Sequence, residues 1–374
     1  MQRRRVLRIS GLLGAGLAGC VSPPGSTAGG GGCPGAAPAP GSAASAPTPA
    51  AGADVDLPLP REELARGALR DEIPAITDPA FGPDWRAVED SLADDDLVIG
   101  VARGGQARAY PLATLIGHEV VNDHFDGPLL VTYCPLCASA VTAVREVGGE
   151  PTVFGVSGLL FRSNLVLYDR RTGSLWSQLL ARAVRGPETG TGLELVPSTL
   201  TSWAAWRADY PDSTVMLPPP ASDPIETVPE GMPAGVHGHV GVGTVELDVE
   251  DDRLPRTSLV LGVATEDHAT AYPRDSVAAA GVVNDCVGGL PVVVAGQQLP
   301  HAFDRRVDGD PLRFERAGAN RLRAGGSTWA LPSGRAVDGP HEGTALRQVT
   351  GAVTMYWFAW VNGHPETAVY GQVK

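Results

Sequence analysis

Lysine is almost missing from this chain: Lys374 is the single one, and arginine carries the remaining basic charge. Basic charge as a whole is scarce, 29 Lys and Arg against 42 Asp and Glu, for a formal net charge of −13. That sign repels phosphate backbones and excludes nucleic acid as the expected partner. Beyond the N-terminus no stretch is long and apolar enough for a transmembrane helix. No Walker loop, Rossmann fingerprint or zinc-protease helix is present. Gly155-Val156-Ser157-Gly158 is not a nucleophile elbow, because Gly-x-Ser-x-Gly is not met. Cysteine is rare, five residues at 20, 33, 134, 137 and 286.

What remains is a globular composition, 43% apolar and 19% charged over 374 residues, enough for two ordinary cores. Residues 1–19 read as an export signal. Arg3-Arg4-Arg5-Val6-Leu7-Arg8 is a basic start with twin-arginine character, and Ile9 to Gly19 is too short an apolar run to span a bilayer. Leu17-Ala18-Gly19-Cys20 resembles a lipobox, which makes Cys20 the expected lipidation site and the lipid the expected membrane anchor. The expected location is therefore the cell membrane, facing the periplasm or exterior. Losing Arg3, Arg4, Arg5 and Arg8 with the leader takes four positive charges from −13 and leaves about −17. Residues 20–55, built from Gly, Ala, Pro and Ser, read as a flexible tether in which Cys33 is a stray thiol.

From residue 56 the pattern is α+β and β-rich. Pro60 to Arg66 reads as a short helix, and Leu112 to Gly117 as one or two helical turns. Leu97 to Val101 and Gln106 to Tyr110 read as a hairpin through Gly104-Gly105. The pattern then starts again at an offset of 162. Leu97-Val98-Ile99-Gly100-Val101-Ala102 returns as Leu259-Val260-Leu261-Gly262-Val263-Ala264, Ala109-Tyr110-Pro111 as Ala271-Tyr272-Pro273, and Val120-Val121-Asn122-Asp123 as Val282-Val283-Asn284-Asp285. Trp176 answers to Trp329, Gly186-Pro187 to Gly339-Pro340, and Trp203/Trp206 to Trp357/Trp360. The expectation is two tandem copies of one unit, 56–222 and 253–374, joined by a connector at 223–252. Because Asn122-Asp123 recurs, it reads as a turn rather than a catalytic pair.

The copies differ at Cys134-Pro135-Leu136-Cys137, the one Cys-x-x-Cys in the chain. Cys134 aligns with Gly296, Cys137 with Leu299 and His118 with Ala280, so the fold forms without the thiols. Two thiolates at this spacing hold one soft metal ion or close one small disulfide. Two buried small hydrophobes are the third alternative. Residues 140–147 read as a strand, which places the pair in a turn between strands rather than at a helix start, and that arrangement favours ligation over thioredoxin-type exchange. For a metal, His118 is the best third ligand and His124, whose counterpart is Cys286, the next; two Cys with His suit copper or zinc. His237 and His239 lie in the connector. His301 falls in the second copy's remnant of the Cys loop and lines a cleft if the copies face each other. Arg162, Ser163 and Asn164 read as a hairpin-closing polar loop that can also line a pocket.

Taken together, Ala109-Tyr110-Pro111, His118 to Asp123, Val131 to Cys137, Phe154 to Leu160, Ser163-Asn164-Leu165, Ser174 to Gln178 and Trp357 to Trp360 resemble the family called domain of unknown function 3179, known from exported bacterial and archaeal proteins. Ala138 departs from it, standing where Gly is usual. The resemblance covers the chain from about Pro60 to its end and implies a shared fold and a shared special loop, with no established activity. Three functions remain open. One is a metal or redox site at Cys134 and Cys137, for copper storage, delivery or electron transfer. Another is a thiol–disulfide oxidoreductase with Cys134 attacking and Cys137 resolving. The last is a non-enzymatic envelope binding protein with a structural disulfide.

Overall fold

The computed structural model describes Cys33 and residues 55–86, 92–224 and 251–372. The leader at 1–19, Cys20, nearly all of the 20–55 tether, and His237 and His239 lie outside the described residues. Strands dominate, and each of the four α-helices among the described residues spans seven residues: α1 Leu112–His118, α2 Trp203–Asp209, α3 Arg274–Ala280 and α4 Trp357–Gly363. The fold is α+β and β-rich.

Strand Leu97–Arg103 is a β-branched, buried run, and it turns through Gly104 (φ 54°) and Gly105 (φ 76°) into Gln106–Pro111. Both turn positions need positive φ, which glycine adopts without a Cβ penalty. This hairpin sits in a five-stranded sheet with Thr199–Ser202, Thr214–Met216 and Phe81–Gly82. A second five-stranded sheet runs Asp223–Pro224, Ile76–Asp78, Val120–His124, Pro128–Cys134 and Ser139–Val144, the last being its outer strand. A third joins Leu64–Arg66, Phe154–Phe161, Asn164–Asp169, Leu175–Ser177 and Arg182–Arg185. Residues 259–369 likewise form three sheets of three or four strands.

Several contacts in residues 97–206 have close likenesses in residues 259–360. Gly100 lies flat under the Trp206 ring and Gly262 under Trp360, where a Cβ would meet ring carbons at 2.3 Å and 2.1 Å. Asn122 bridges the backbone of Phe154 through bonds of 2.7 Å and 2.8 Å, and Asn284 does the same for Phe314 at 2.8 Å each. Tyr110 donates to Asp123 at 2.6 Å and Tyr272 to Asp285 at 2.9 Å. Both tryptophan rings are fully buried, so no nearby space can accept a displaced ring. Gly100→Ala and Gly262→Ala should therefore each cost about 3 kcal/mol of stability. Urea unfolding reads this directly, and an unchanged midpoint would contradict the packing described.

Three expectations are corrected. Asn122-Asp123 is not a turn: both are buried on strand Val120–His124. The side chain of Asn122 ties one sheet to the next, and Asp123 anchors Tyr110 and Arg108. Pro60 to Arg66 is a single 3-10 turn, Arg61–Glu63, followed by strand Leu64–Arg66, because pairing with Leu159–Phe161 outweighs the local helix signals. Cys33 is not a stray thiol; it is disulfide-bonded to Cys286, with 5.7 Å between Cα atoms.

One buried cluster joins the stretches 55–224 and 251–372. Cys134, Cys137, Trp176 and Leu179 pack in the same buried cluster as Val353, Met355, Trp357 and Phe358. The backbone N–H of Tyr356 donates to the Cys137 carbonyl at 2.8 Å. Gln348 Nε2 donates to the Ser198 carbonyl at 2.6 Å.

Candidate functional site

Strand Pro128–Cys134 delivers the chain into a turn at 135–138, and strand Ser139–Val144 leaves it antiparallel, with Cys134 opposite Ser139. The pair thus lies in a hairpin, with no helix N-terminus to polarise it. Ala138 closes the turn at φ 56°, in the left-handed region where its Cβ is strained. Ala138→Gly should raise stability by about 1 kcal/mol, provided relief of that strain exceeds the added freedom of the unfolded chain. Thermal unfolding tests it; a destabilised variant would show that the alanine side chain contributes packing that outweighs the strain.

Both sulfurs are buried, Cys134 at 1% and Cys137 at 0% exposure, and both are free thiols. Polar side chains from two neighbouring strands and the segment after Ser177 converge on Cys137. Ser139 Oγ lies 3.0 Å from its Sγ, and Asn164 Nδ2 donates to it at 3.1 Å. Asn164 also donates to Gln178 Oε1 at 2.7 Å and accepts from the Leu179 N–H at 3.2 Å. Gln178 Nε2 continues to Thr132 Oγ1 at 2.9 Å, and Thr132 donates to the Val141 carbonyl at 2.7 Å. Asn164 reaches the sulfur because Arg162 (φ 48°) and Ser163 (φ 65°) form a tight left-handed turn between strands Phe154–Phe161 and Asn164–Asp169.

Ser139 gives this network two settings. Its hydroxyl is also 2.9 Å from Gln178 Oε1 and carries a single proton. With Cys137 protonated, the S–H donates to Ser139, and Ser139 donates to Gln178. With Cys137 ionised, the same hydroxyl turns to the thiolate, and Gln178 Oε1 keeps Asn164. Neither setting leaves a buried group unpaired.

The two thiols titrate apart. Burial alone would raise Cys137, but hydrogen bonds from Cys134, the Ser139 hydroxyl, Asn164 and the Ser139 N–H outweigh it and hold Cys137 below the ordinary thiol value. Cys134 is pushed well up, first by its hydrogen bond to Cys137, then by burial and by the charges of Cys137 and Glu119. Glu119 is 8% exposed. Burial first, and then the charge of Cys137, push its carboxyl up to about 8. It caps α1 at φ 58°, and its carbonyl accepts from the Tyr133 N–H at 2.8 Å. Burial also raises Tyr133.

The other residues singled out from the sequence fall as follows. His118 ends α1, and its Nδ1 is 2.7 Å from the Pro74 carbonyl. His124 is exposed at the far end of strand Val120–His124. Among the described residues no group of three or more His, Cys, Asp and Glu able to hold a metal is found. His301 lines a cleft where the two stretches meet, and burial pushes it down to about 4. Glu119, Ser139 and Gln178 were not singled out. Glu119 stands beside His118, and Ser139 lies two residues after Cys137, so proximity in sequence was the available signal. Gln178 is 41 positions from Cys137, and only strand pairing brings it in.

A family model described as "Protein of unknown function (DUF3179)" matches residues 70–367. The chain belongs to that family. Searches of curated proteins and of solved structures find no match. Among the described residues no helix is long and apolar enough to cross a membrane.

Proposed function

We propose that this DUF3179 protein is an exported, lipid-anchored envelope protein whose Cys134–Cys137 pair is a buried redox couple. Cys137 is its thiolate, and Cys134 is the partner that keeps its proton. The single observation that carries the reading is the convergence on Cys137 of the Asn164 amide, which donates at 3.1 Å, and the Ser139 hydroxyl, which lies 3.0 Å away and can donate to an ionised sulfur, inside a fully buried network. Hydrogen bonds of this kind favour an ionised sulfur, and the thiolate is the reactive form in disulfide chemistry. The roles are the reverse of those expected from the sequence, where Cys134 was the attacking thiol. The Cys33–Cys286 disulfide fits an oxidising compartment, and export to one fits the leader.

The metal reading is weaker on the same ground. The sulfur of Cys137 already has its hydrogen-bond partners, and His118 is engaged with Pro74. Copper(I) or zinc held by the two thiolates alone is the form it would take. We also infer that 56–222 and 253–374 are copies of one unit, supported by the matched glycine–tryptophan, asparagine–phenylalanine and tyrosine–aspartate contacts.

Elemental analysis with differential alkylation tests the reading, on full-length protein purified from an export-competent host without chelator. The expected result is no stoichiometric metal and a Cys134–Cys137 pair found partly as dithiol and partly as disulfide. A near-stoichiometric metal lost in the Cys134→Ser/Cys137→Ser variant would replace the redox reading with ligation.

A further inference from the structure

The Cys33–Cys286 disulfide spans 253 residues and joins the stretch read as a tether to strand Val282–Val287. That strand does not call for the bond. An offset of 162 residues sets His124 against Cys286, and strand Val120–His124 pairs antiparallel with Pro128–Cys134, as Val282–Val287 does with Leu290–Ala295, with histidine in place of the cysteine. Cys33 is only 9% exposed, so its side chain is seated in the fold. Beyond Cys33 the described chain resumes at Val55, which with Leu57 packs against the buried cluster of Leu59, Phe161, Val166, Leu180 and Val184. Phe161 and Val166 belong to a different sheet from Cys286. The chain that follows the lipobox therefore meets the fold at two separate places, Cys286 through sulfur and Val55 through the backbone.

Covalent length separates the two. Cys33 lies 13 positions after Cys20, and Val55 lies 35 after it. A fully extended chain covers at most about 3.5 Å per residue, so a lipid on Cys20 reaches no farther than about 45 Å from Cys33, against about 120 Å from Val55. Resting on the lipid-anchored reading above, we propose that the Cys33–Cys286 disulfide is a second covalent membrane anchor. It makes the surface at Cys286 the point of attachment and keeps that surface within about 45 Å of the bilayer. With the bond closed, the link from lipid to fold runs through Cys33 to Cys286, and the stretch 34–54 is bypassed. A cut in that stretch, whose small residues are of the kind proteases nick when exposed, then leaves the protein on the membrane. With the bond open, the link runs through the whole stretch and the same cut releases the protein. The shorter link favours partners seated in or on the same bilayer.

The test uses the full chain in membranes of an export-competent host, with residues 43–49 replaced by the recognition site of a sequence-specific protease. Reducing gels report cleavage, and membrane flotation reports where the fragment beyond residue 49 goes. Cleavage without reductant should leave that fragment floating with the membranes. Dithiothreitol, at a concentration that alkylation shows to open Cys33–Cys286, should then release it to the soluble fraction. Cys33→Ser and Cys286→Ser should each release it on cleavage alone. Release of the cleaved, unreduced chain with native cysteines would overturn the proposal, as would retention after both cleavage and reduction. An uncut chain that does not float with membranes, or that still floats as the Cys20→Ser variant, would overturn the lipid-anchored reading itself, and this proposal with it.

Discussion

Glu119→Gln should make the protein more stable at pH 8 by roughly 3–5 kcal/mol and leave it nearly unchanged at pH 4. The carboxyl ordinarily titrates at 4.5, and burial, with the charge of Cys137, moves it to about 8 in the fold. Between those values the unfolded chain has released a proton that the folded chain keeps. The stabilisation is fully present below about 4.5 and is lost as pH rises towards about 8. Glutamine matches the protonated acid in shape and never ionises, so its advantage grows across that window and then levels off. Urea unfolding of both proteins from pH 4 to pH 9 measures it. A constant difference across the range would mean that Glu119 is ionised in the fold at neutral pH.

Asn164→Leu should raise the titration of Cys137 and cost about 2–4 kcal/mol of stability. The amide donates to the sulfur, to Ser139 and to Gln178, and it accepts from the Leu179 N–H. Leucine is close in volume, so the loss lies in hydrogen bonds rather than in a cavity. The thiolate loses a donor, and its charged form is disfavoured. Leu179 is left with a buried N–H to satisfy. Thiolate absorbance against pH reads the first effect and urea unfolding the second. Ser139→Ala should shift Cys137 in the same direction. If Asn164→Leu destabilises the protein without moving the thiol titration, the amide is a structural brace and the Cys137 thiolate does not depend on it.

The hairpin at Gly104-Gly105, helix α1 and the strands flanking the cysteines were legible because each is written locally, as a glycine pair or a run of alternating or β-branched residues. Cys134 and Cys137 stood out because an offset of 162 residues sets them against Gly296 and Leu299 in the sequence. At Gly296 (φ 146°) a Cβ would sit 1.9 Å from the Leu299 carbonyl oxygen, so a cysteine does not fit that backbone. The partners of the thiols were harder to read. Asn164 looked like part of a loop because its role depends on a two-residue turn that aims it across the sheet. Gln178 joins the network through Ser139 and Asn164, and only the packing of strands far apart in sequence brings it there. Asn122-Asp123 was misread because polar residues at a recurring position look like a turn until their partners, Phe154 and Tyr110, are seen. Cys33 sits in a stretch with no pattern of its own, and nothing local points to Cys286.

The most direct measurement is an equilibrium redox titration of the full chain in dithiothreitol buffers, with Cys134 and Cys137 followed by alkylation and peptide mass. A reversible two-electron transition between dithiol and a Cys134–Cys137 disulfide, with Cys33–Cys286 closed throughout the transition, is the predicted result. A pair that stays reduced at every poise, or that holds a stoichiometric metal and resists oxidation until it is stripped, would contradict the account.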